Sequence, residues 1–180
     1  ISSWSFNHLR QGSKGPDDYL KNYFVQRQNG QDVTIEQDDP LLQRPSAYDQ
    51  INLMQKVRFK PNEDWDLQYG FHYSETSPYG RYDRHNRRRN GTARYAEWNY
   101  GPQTWMMNNL SISHQANQAY YDQMTLRLAQ QSFGERRISR DLNDPVREVR
   151  EEQVDAYSAN LDFAKGLNAR HTLFYGLEFV

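Results

Sequence analysis

A strict alternation of apolar and polar residues runs through residues 50–75 and constrains the fold more than any other feature of the sequence. Ile51, Leu53 and Val57 share one parity, and polar side chains occupy the other. Successive side chains of a β-strand point to opposite faces, so this period of two predicts a strand with one apolar and one polar face. The alternation resumes after residues 61–64, a turn-forming stretch, and the two runs together predict an antiparallel hairpin.

Two further hairpins and an N-terminal strand show the same alternation less cleanly. The second hairpin is predicted within residues 104–133. The third joins a strand near 157–163 to another over 171–179, and Trp4 and Phe6 mark a strand at the start of the chain. This pattern predicts about seven strands, paired up and down.

The composition fits such strands better than it fits a soluble domain of the same length. Only 36% of the 180 residues are hydrophobic and the mean hydropathy is -1.08, yet aromatic residues reach 14%, with 13 Tyr. Disordered chains are poor in aromatic residues, so the composition argues against disorder. Strands with one face toward lipid and the other toward a water-filled interior account for the mixture.

The lengths of the joins predict an orientation. Outer-membrane barrels place short turns on the periplasmic side and long loops outside, and alternating strands put every short join here on one side. We therefore predict an all-β fold: an antiparallel up-and-down transmembrane β-barrel, here a segment of about seven strands with long extracellular loops. The short joins are expected near residues 61–64, 115–119 and 164–169, and the long loops over about 10–49, 77–103 and 134–152.

Several function classes lack their signatures. The chain has no Cys, which removes disulfides and thiolate metal sites, and its net charge of -1 gives no reason to expect a nucleic-acid partner. No Gly-x-Ser-x-Gly elbow or phosphate-binding glycine loop is present. We therefore predict neither catalysis, nor a cofactor, nor a metal.

No signal peptide is visible at Ile1, and residues 1–180 are expected to be a partial barrel domain of a longer protein.

One alternative stays open at this point. Val154, Tyr157, Leu161 and Ala164 also fit the spacing of one helical face. A soluble, β-rich carbohydrate-binding module that uses its Trp and Tyr side chains is therefore the competing interpretation. In that case the apolar residues would form one closed core instead of facing lipid.

Three stretches resemble the barrel of TonB-dependent outer-membrane receptors. The first covers residues 48–59 and the strand over 65–73, the second is Ser77-Pro78-Tyr79-Gly80-Arg81-Tyr82-Asp83, and the third covers 169–178. The resemblance covers most of the chain and lies in its general pattern of residues, without a specific motif. Members of this family have a plug domain, a short energy-coupling box and a barrel of 22 strands, so this chain would be roughly a third of such a barrel.

The resemblance implies a function in active transport. Such receptors lie in the bacterial outer membrane, bind a scarce nutrient (a ferric siderophore, haem, cobalamin or a glycan) and import it with energy relayed by the inner-membrane protein TonB through the plug. Lipopolysaccharide is a further expected partner.

The loop predicted over residues 77–103 carries the candidate ligand contacts. Guanidinium groups pair with carboxylates, and aromatic faces hold planar groups or cations, so this loop is suited to an anionic ligand. A solvated loop whose arginines contact lipopolysaccharide phosphates is the simpler interpretation. The predicted ligand-binding residues are Tyr79, Arg81, Tyr82, Arg84, His85, Arg87, Arg88, Arg89 and Trp98.

Overall fold

A computed structural model describes residues 1–10, 12–13, 23–39, 42–85 and 87–180. Fourteen strands and one single-turn helix occur in these ranges. In chain order they are β1 Ser2–Leu9, β2 Gly12–Ser13, β3 Tyr23–Gln28, β4 Gln31–Glu36, β5 Leu42–Gln43, β6 Tyr48–Phe59, β7 Trp65–Thr76, β8 Tyr79–Gly80, α1 Tyr82–His85, β9 Arg88–Arg89, β10 Thr92–Ala93, β11 Tyr95–Gln115, β12 Gln123–Asp141, β13 Glu148–Asn168 and β14 His171–Phe179.

One antiparallel sheet dominates the structure. Its strands follow the order β1-β6-β7-β11-β12-β13-β14, and the short β8 adds an eighth strand by pairing with β11. The predicted all-β, antiparallel class is therefore confirmed, as are the hairpins of neighbouring strands. Among the described residues the sheet stays open, with β1 and β14 as its edges. Closure into a barrel is not seen and stays a prediction.

The long strands correct two of the predicted loops. β11 begins at Tyr95, β12 continues to Asp141 and β13 begins at Glu148, so most of 134–152 and the end of 77–103 are strand. Over 134–152 most side chains of both faces are polar, and in β11 a register shift between Tyr100 and Gln103 breaks the alternation, although backbone pairing continues. The last short turn also lies later than predicted, between Asn168 and His171, and the helical spacing near Val154 belongs to β13.

Register partners show that the sheet has one apolar face. Residues directly opposite each other on neighbouring strands lie on the same face. The partners of Leu67, for example, are Phe59 on β6 and Ile112 on β11. What we call the apolar face includes Leu53, Val57, Phe59, Leu67, Tyr69, Phe71, Leu110, Ile112, Leu126, Leu128, Leu161, Leu173, Tyr175 and Leu177.

The opposite side, the polar face, carries a continuous hydrophilic row. It runs from Arg58 and Gln68 through Ser111 and Arg127 to Asn160. Ion pairs between neighbouring strands reinforce this row, with Arg58 Nε 2.8 Å from an Asp66 carboxylate oxygen. The two faces therefore meet different environments.

No element of the described chain covers the apolar face. Phe59 is 60% exposed and Leu177 is 76% exposed. Within the ranges that the structure describes, the only buried hydrophobic residues are Tyr23, Tyr82, Ala93 and Ile138, and all four lie near the small outer elements. These elements, β2 to β5 and β8 to β10 with α1, occupy the connections opposite the short turns.

Candidate ligand-binding site

A pair of arginines packs on Trp98 near the outer end of β11. The strand β8 pairs with β11 through Tyr79 and Tyr100, and the Arg81 N–H donates to the Trp98 carbonyl at 3.0 Å. The next turn of chain is α1, which carries Arg84. The guanidinium carbons of Arg81 and Arg84 lie 5.6 and 5.5 Å from the Trp98 ring centroid, within the range of cation–π contacts.

Tyr100 completes this group, which we call the Trp98 cluster (Tyr79, Arg81, Arg84, Trp98 and Tyr100). Its ring meets Trp98 edge to face at 5.2 Å, and its hydroxyl accepts a hydrogen bond from Arg81 Nη1 at 3.2 Å. Tyr79 lies 6.2 Å from Tyr100, centroid to centroid. The Nε of Arg84 is buried without a hydrogen-bond partner. The cluster therefore holds two cations against aromatic faces, and the Asp83 carboxylate lies 2.7 Å from Arg81 Nε and 3.8 Å from Arg84 Nε.

Two register shifts in β11 decide which side chains reach this cluster. Below the shift between Tyr100 and Gln103, Gln103 pairs with Glu135 on the polar face, and above it Tyr100 pairs with Arg137 on the same face. A β-bulge of this kind re-aims side chains. Gly101 lies within it at φ +93°, where a Cβ would also come within 3.0 Å of the Ser77 carbonyl oxygen. The bulge therefore keeps Trp98 on the polar side of the sheet.

His85 and Tyr82 lie beneath the cluster, 5% and 8% exposed. The Trp98 N–H donates to His85 Nε2 at 3.3 Å, and burial lowers the pKa of His85, against an opposing hydrogen bond with Asn99. A neutral His85 imidazole that accepts a hydrogen bond from the Trp98 backbone is suited to a structural role beneath the cluster. Both side chains are buried, and their predicted role as ligand contacts stays a prediction.

The other three predicted arginines, Arg87, Arg88 and Arg89, lie in or next to a different strand, β9. Arg88 and Arg89 form β9, and the Arg88 guanidinium lies 5.1 Å from the Tyr23 ring centroid. Burial raises the pKa of Tyr23, and Arg88 partly opposes that shift. The Tyr23 hydroxyl donates to the Arg87 carbonyl at 3.2 Å. The Arg88 guanidinium and the Arg87 carbonyl therefore meet Tyr23 of the β3–β4 hairpin, whereas Arg89 is exposed.

A cavity of about 370 Å³ opens beside Trp98 at the outer ends of β11, β12 and β13. Its size lies within the range of small-molecule sites. Arg137 is ion-paired with Glu152, and Arg150 lies 3.7 Å from Glu148. The lining includes Arg94, Tyr95, Trp98, Arg137, Asp141 and Arg150.

Sequence reasoning missed Arg137 and Arg150 as cavity residues. It assigned them to a loop over 134–152, whereas they are register partners on β12 and β13 and share the polar face. The sequence shows many charged residues around Arg137 and Arg150, but it does not show that these two residues lie near Trp98, because that proximity depends on strand pairing. Of the nine predicted residues, Trp98 lines this cavity.

An ion pair fastens the β3–β4 hairpin to the cavity wall. The buried Asp32 carboxylate accepts hydrogen bonds from Arg140 Nη1 at 2.6 Å and Nη2 at 2.8 Å, and from the Asn143 N–H at 2.8 Å. The hydrogen bond from Arg140 lowers the pKa of Asp32 most strongly. Arg140 also lines the cavity, so the hairpin and the site share one side chain.

Comparisons with protein-family models, curated proteins and solved structures find no match to this chain. Within the described ranges, no group of three or more His, Asp or Glu side chains is arranged to hold a metal ion. In the same part of the chain, no helix has the length and apolarity needed to cross a membrane.

Proposed function

We propose that this chain is a barrel segment of an outer-membrane receptor of the TonB-dependent type, which binds a scarce nutrient at the cell surface and imports it. The observation that carries the proposal is the uncovered apolar face. On β7 it spans residues 65–73 and on β11 residues 106–114. A transmembrane β-strand needs about 9–11 residues to cross the hydrocarbon, which matches these spans.

The outer edge of this apolar band crosses the sheet obliquely. On β6 the band reaches Ile51, whose partner on β7 is Glu75, so the band on β7 ends one step lower at Tyr73. Across β11 and β12, the position level with Tyr73 on β13 is Asp155, and the band there ends at Tyr157. The edge thus moves by roughly one residue per strand, a stagger typical of tilted barrel strands.

The inner edge of the band moves in the same direction. On β6 it ends at Phe59, which is level with Leu177 on β14, whereas β14 continues the apolar face to Leu173. A flat membrane crossed by tilted strands produces parallel oblique edges, because each strand enters the hydrocarbon at a shifted register position. A soluble core has no such requirement, so this geometry supports the membrane interpretation.

Aromatic side chains cluster at both edges of the band. Toward the short turns, Trp65 stacks on His114 at 4.1 Å and Phe163 stacks on Tyr175 at 4.9 Å, centroid to centroid. Toward the outside, Trp4, Tyr73 and Tyr157 occupy the apolar face. Outer-membrane barrels carry aromatic girdles at both interfaces, and these positions suit them.

The polar face supports the binding part of the proposal. Its outer end carries the cavity beside Trp98 and the arginines of the Trp98 cluster, where a ligand arriving from outside would be met first. Import would depend on TonB acting through a plug, and lipopolysaccharide would surround the barrel. The alternative, a soluble carbohydrate-binding module, needs the apolar residues in a closed core, whereas the described residues place them on one open face.

Cysteine labelling at neighbouring positions of β12 tests the proposal, because the chain has no Cys of its own. Leu126 and Arg127 are adjacent but lie on the apolar and polar faces. In the complete protein in outer membranes, we expect Arg127→Cys to react with a membrane-impermeant maleimide and Leu126→Cys to be protected. Equal labelling of both positions, or recovery of the protein in the soluble fraction, would contradict it.

A further inference from the structure

A directional chain of hydrogen bonds crosses three strands on the apolar face. The Tyr69 hydroxyl donates to Asn108 Oδ1 at 2.6 Å, and Asn108 Nδ2 donates to Gln130 Oε1 at 2.7 Å. Asn108 and Gln130 are register partners, and the next partner on β13 is Tyr157. The chain ends at Gln130 Nε2, which has no hydrogen-bond partner among the described residues.

This ending is unusual for a surface that meets hydrocarbon. A free amide N–H facing the bilayer core is unfavourable because lipid tails offer no acceptor. Gln130 is level with Tyr157, where the apolar band ends on β13, so it lies at the outer edge of the band. At that depth the hydrocarbon gives way to the polar part of the lipids, where ester carbonyls are available as acceptors.

An apolar groove lies directly below this donor. It encloses about 400 Å³, and its walls include Leu110, Leu128 and Phe179. Ala159 is the register partner of both Leu128 and Phe179, and its small side chain leaves the depression between them. The groove is therefore apolar between Leu110 and Phe179, and Gln130 Nε2 lies at its outer end beside the side chain of Tyr157.

We infer that this groove binds an ester-linked acyl lipid of the surrounding bilayer. The acyl chain packs against Leu110, Leu128 and Ala159, and the ester carbonyl accepts the hydrogen bond from Gln130 Nε2. The groove and the lipid carry their groups in the same order: the groove has its donor at the outer end of an apolar surface, and an acyl lipid has its carbonyl at the end of its apolar chain. The inference rests on the proposed function, since it requires the apolar face to meet a membrane.

Vesicles with and without ester carbonyls test this directly. The complete protein would be folded into vesicles of a diacyl phosphatidylcholine and of the dialkyl ether phosphatidylcholine with equal chain lengths. The measured quantity is the urea midpoint of unfolding, followed by Trp fluorescence. We expect a higher midpoint in the ester lipid for the wild type and no such difference for the double variant Asn108→Leu, Gln130→Leu.

Two single variants separate the groove from general effects of the lipid. Ala159→Leu fills the depression without touching the amides and should reduce the ester-to-ether shift. Gln123→Leu lies on the same strand but on the polar face, where Gln123 makes no side-chain hydrogen bond with the described residues, and should keep the wild-type shift.

The outcomes distinguish this inference from the proposed function. Equal ester-to-ether shifts in the wild type and the double variant would overturn lipid binding while leaving the membrane receptor intact. A change of oligomeric state in the double variant, without a change of that shift, would assign the groove to a second copy of the protein and also overturn the inference. Failure of the wild type to insert into either vesicle would overturn both proposals.

Discussion

Asp32 and Arg140 are 108 positions apart in the sequence and form a two-pronged ion pair, with N···O distances of 2.6 and 2.8 Å. The Asp32 carboxylate is 1% exposed and the Arg140 side chain 13%. Bidentate pairs between arginine and carboxylate are geometrically demanding, and burial raises the cost of losing one partner. This pair therefore links the β3–β4 hairpin directly to β12.

We predict that Asp32→Asn releases the hairpin. Removing one partner of a buried ion pair costs roughly 3–5 kcal/mol, because the remaining charge stays desolvated. Hydrogen–deuterium exchange of residues 23–36 should accelerate strongly, while β7 and β11 keep their protection. Asp38→Asn is the control, since Asp38 is exposed on the same connection. Unchanged exchange in Asp32→Asn would show that other contacts hold the hairpin.

The same pair predicts a dependence on pH. Arg140 holds the pKa of Asp32 below its ordinary value of 3.8. A carboxyl group with a lowered folded-state pKa stabilises the structure above its unfolded-state pKa, and this stabilisation is lost as the pH falls through the folded-state value. Exchange in the hairpin, corrected for intrinsic rates, should therefore rise only below about pH 4. An equal rise in Asp32→Asn would assign the transition to another group.

Arginine on the apolar face should be tolerated far less than arginine on the polar face. Leu110 and Ser111 are neighbours on β11 with side chains on opposite faces. Leu110→Arg should cost about 2–4 kcal/mol in a bilayer, because a charge near mid-membrane is poorly solvated. Ser111→Arg, facing water, should cost much less. Urea unfolding in vesicles measures both, and equal losses would argue against a lipid-facing apolar surface.

The arginines of the Trp98 cluster should couple energetically to the ring. Cation–π contacts at exposed sites contribute about 0.5–1 kcal/mol. A double-mutant cycle of Arg81→Ala and Trp98→Ala should yield a coupling of that order, and so should one with Arg84→Ala. Arg89 lies in the β9–β10 hairpin and is exposed, so its cycle with Trp98 should give no coupling. Coupling at Arg89 equal to that at Arg81 would indicate a general effect of charge.

Much of the hairpin architecture was predictable because its signal is local. The alternation around Leu53 and Leu67 reports directly on which side each residue faces, and the turn residues between them mark the reversal. The limits of the strands were less accessible. Toward its outer end, the alternation in β11 is broken at Gly101 and Pro102, so its continuation to Tyr95 was not predicted.

The candidate site was predictable only in part. The arginines and Trp98 stood out because of their density in one stretch, and Arg81, Arg84 and Trp98 do lie together. The sequence did not show that Arg81 and Arg84 pack on Trp98 while Arg88 packs on Tyr23, because this division depends on the packing of the β3–β4 hairpin. Arg137 was missed because its position beside Trp98 arises from cross-strand register.

A period of two is a property of consecutive residues, so the strands, the order of the hairpins and the single apolar face could all be predicted without coordinates. The tertiary structure alone decided the bulge at Gly101, which reverses the parity of β11 and turns Trp98 and Tyr100 to the polar face. It also decided the contact of Asp32 with Arg140. Both depend on the pairing of residues distant in the chain, whose free energy is set by the neighbouring strands and not by local sequence.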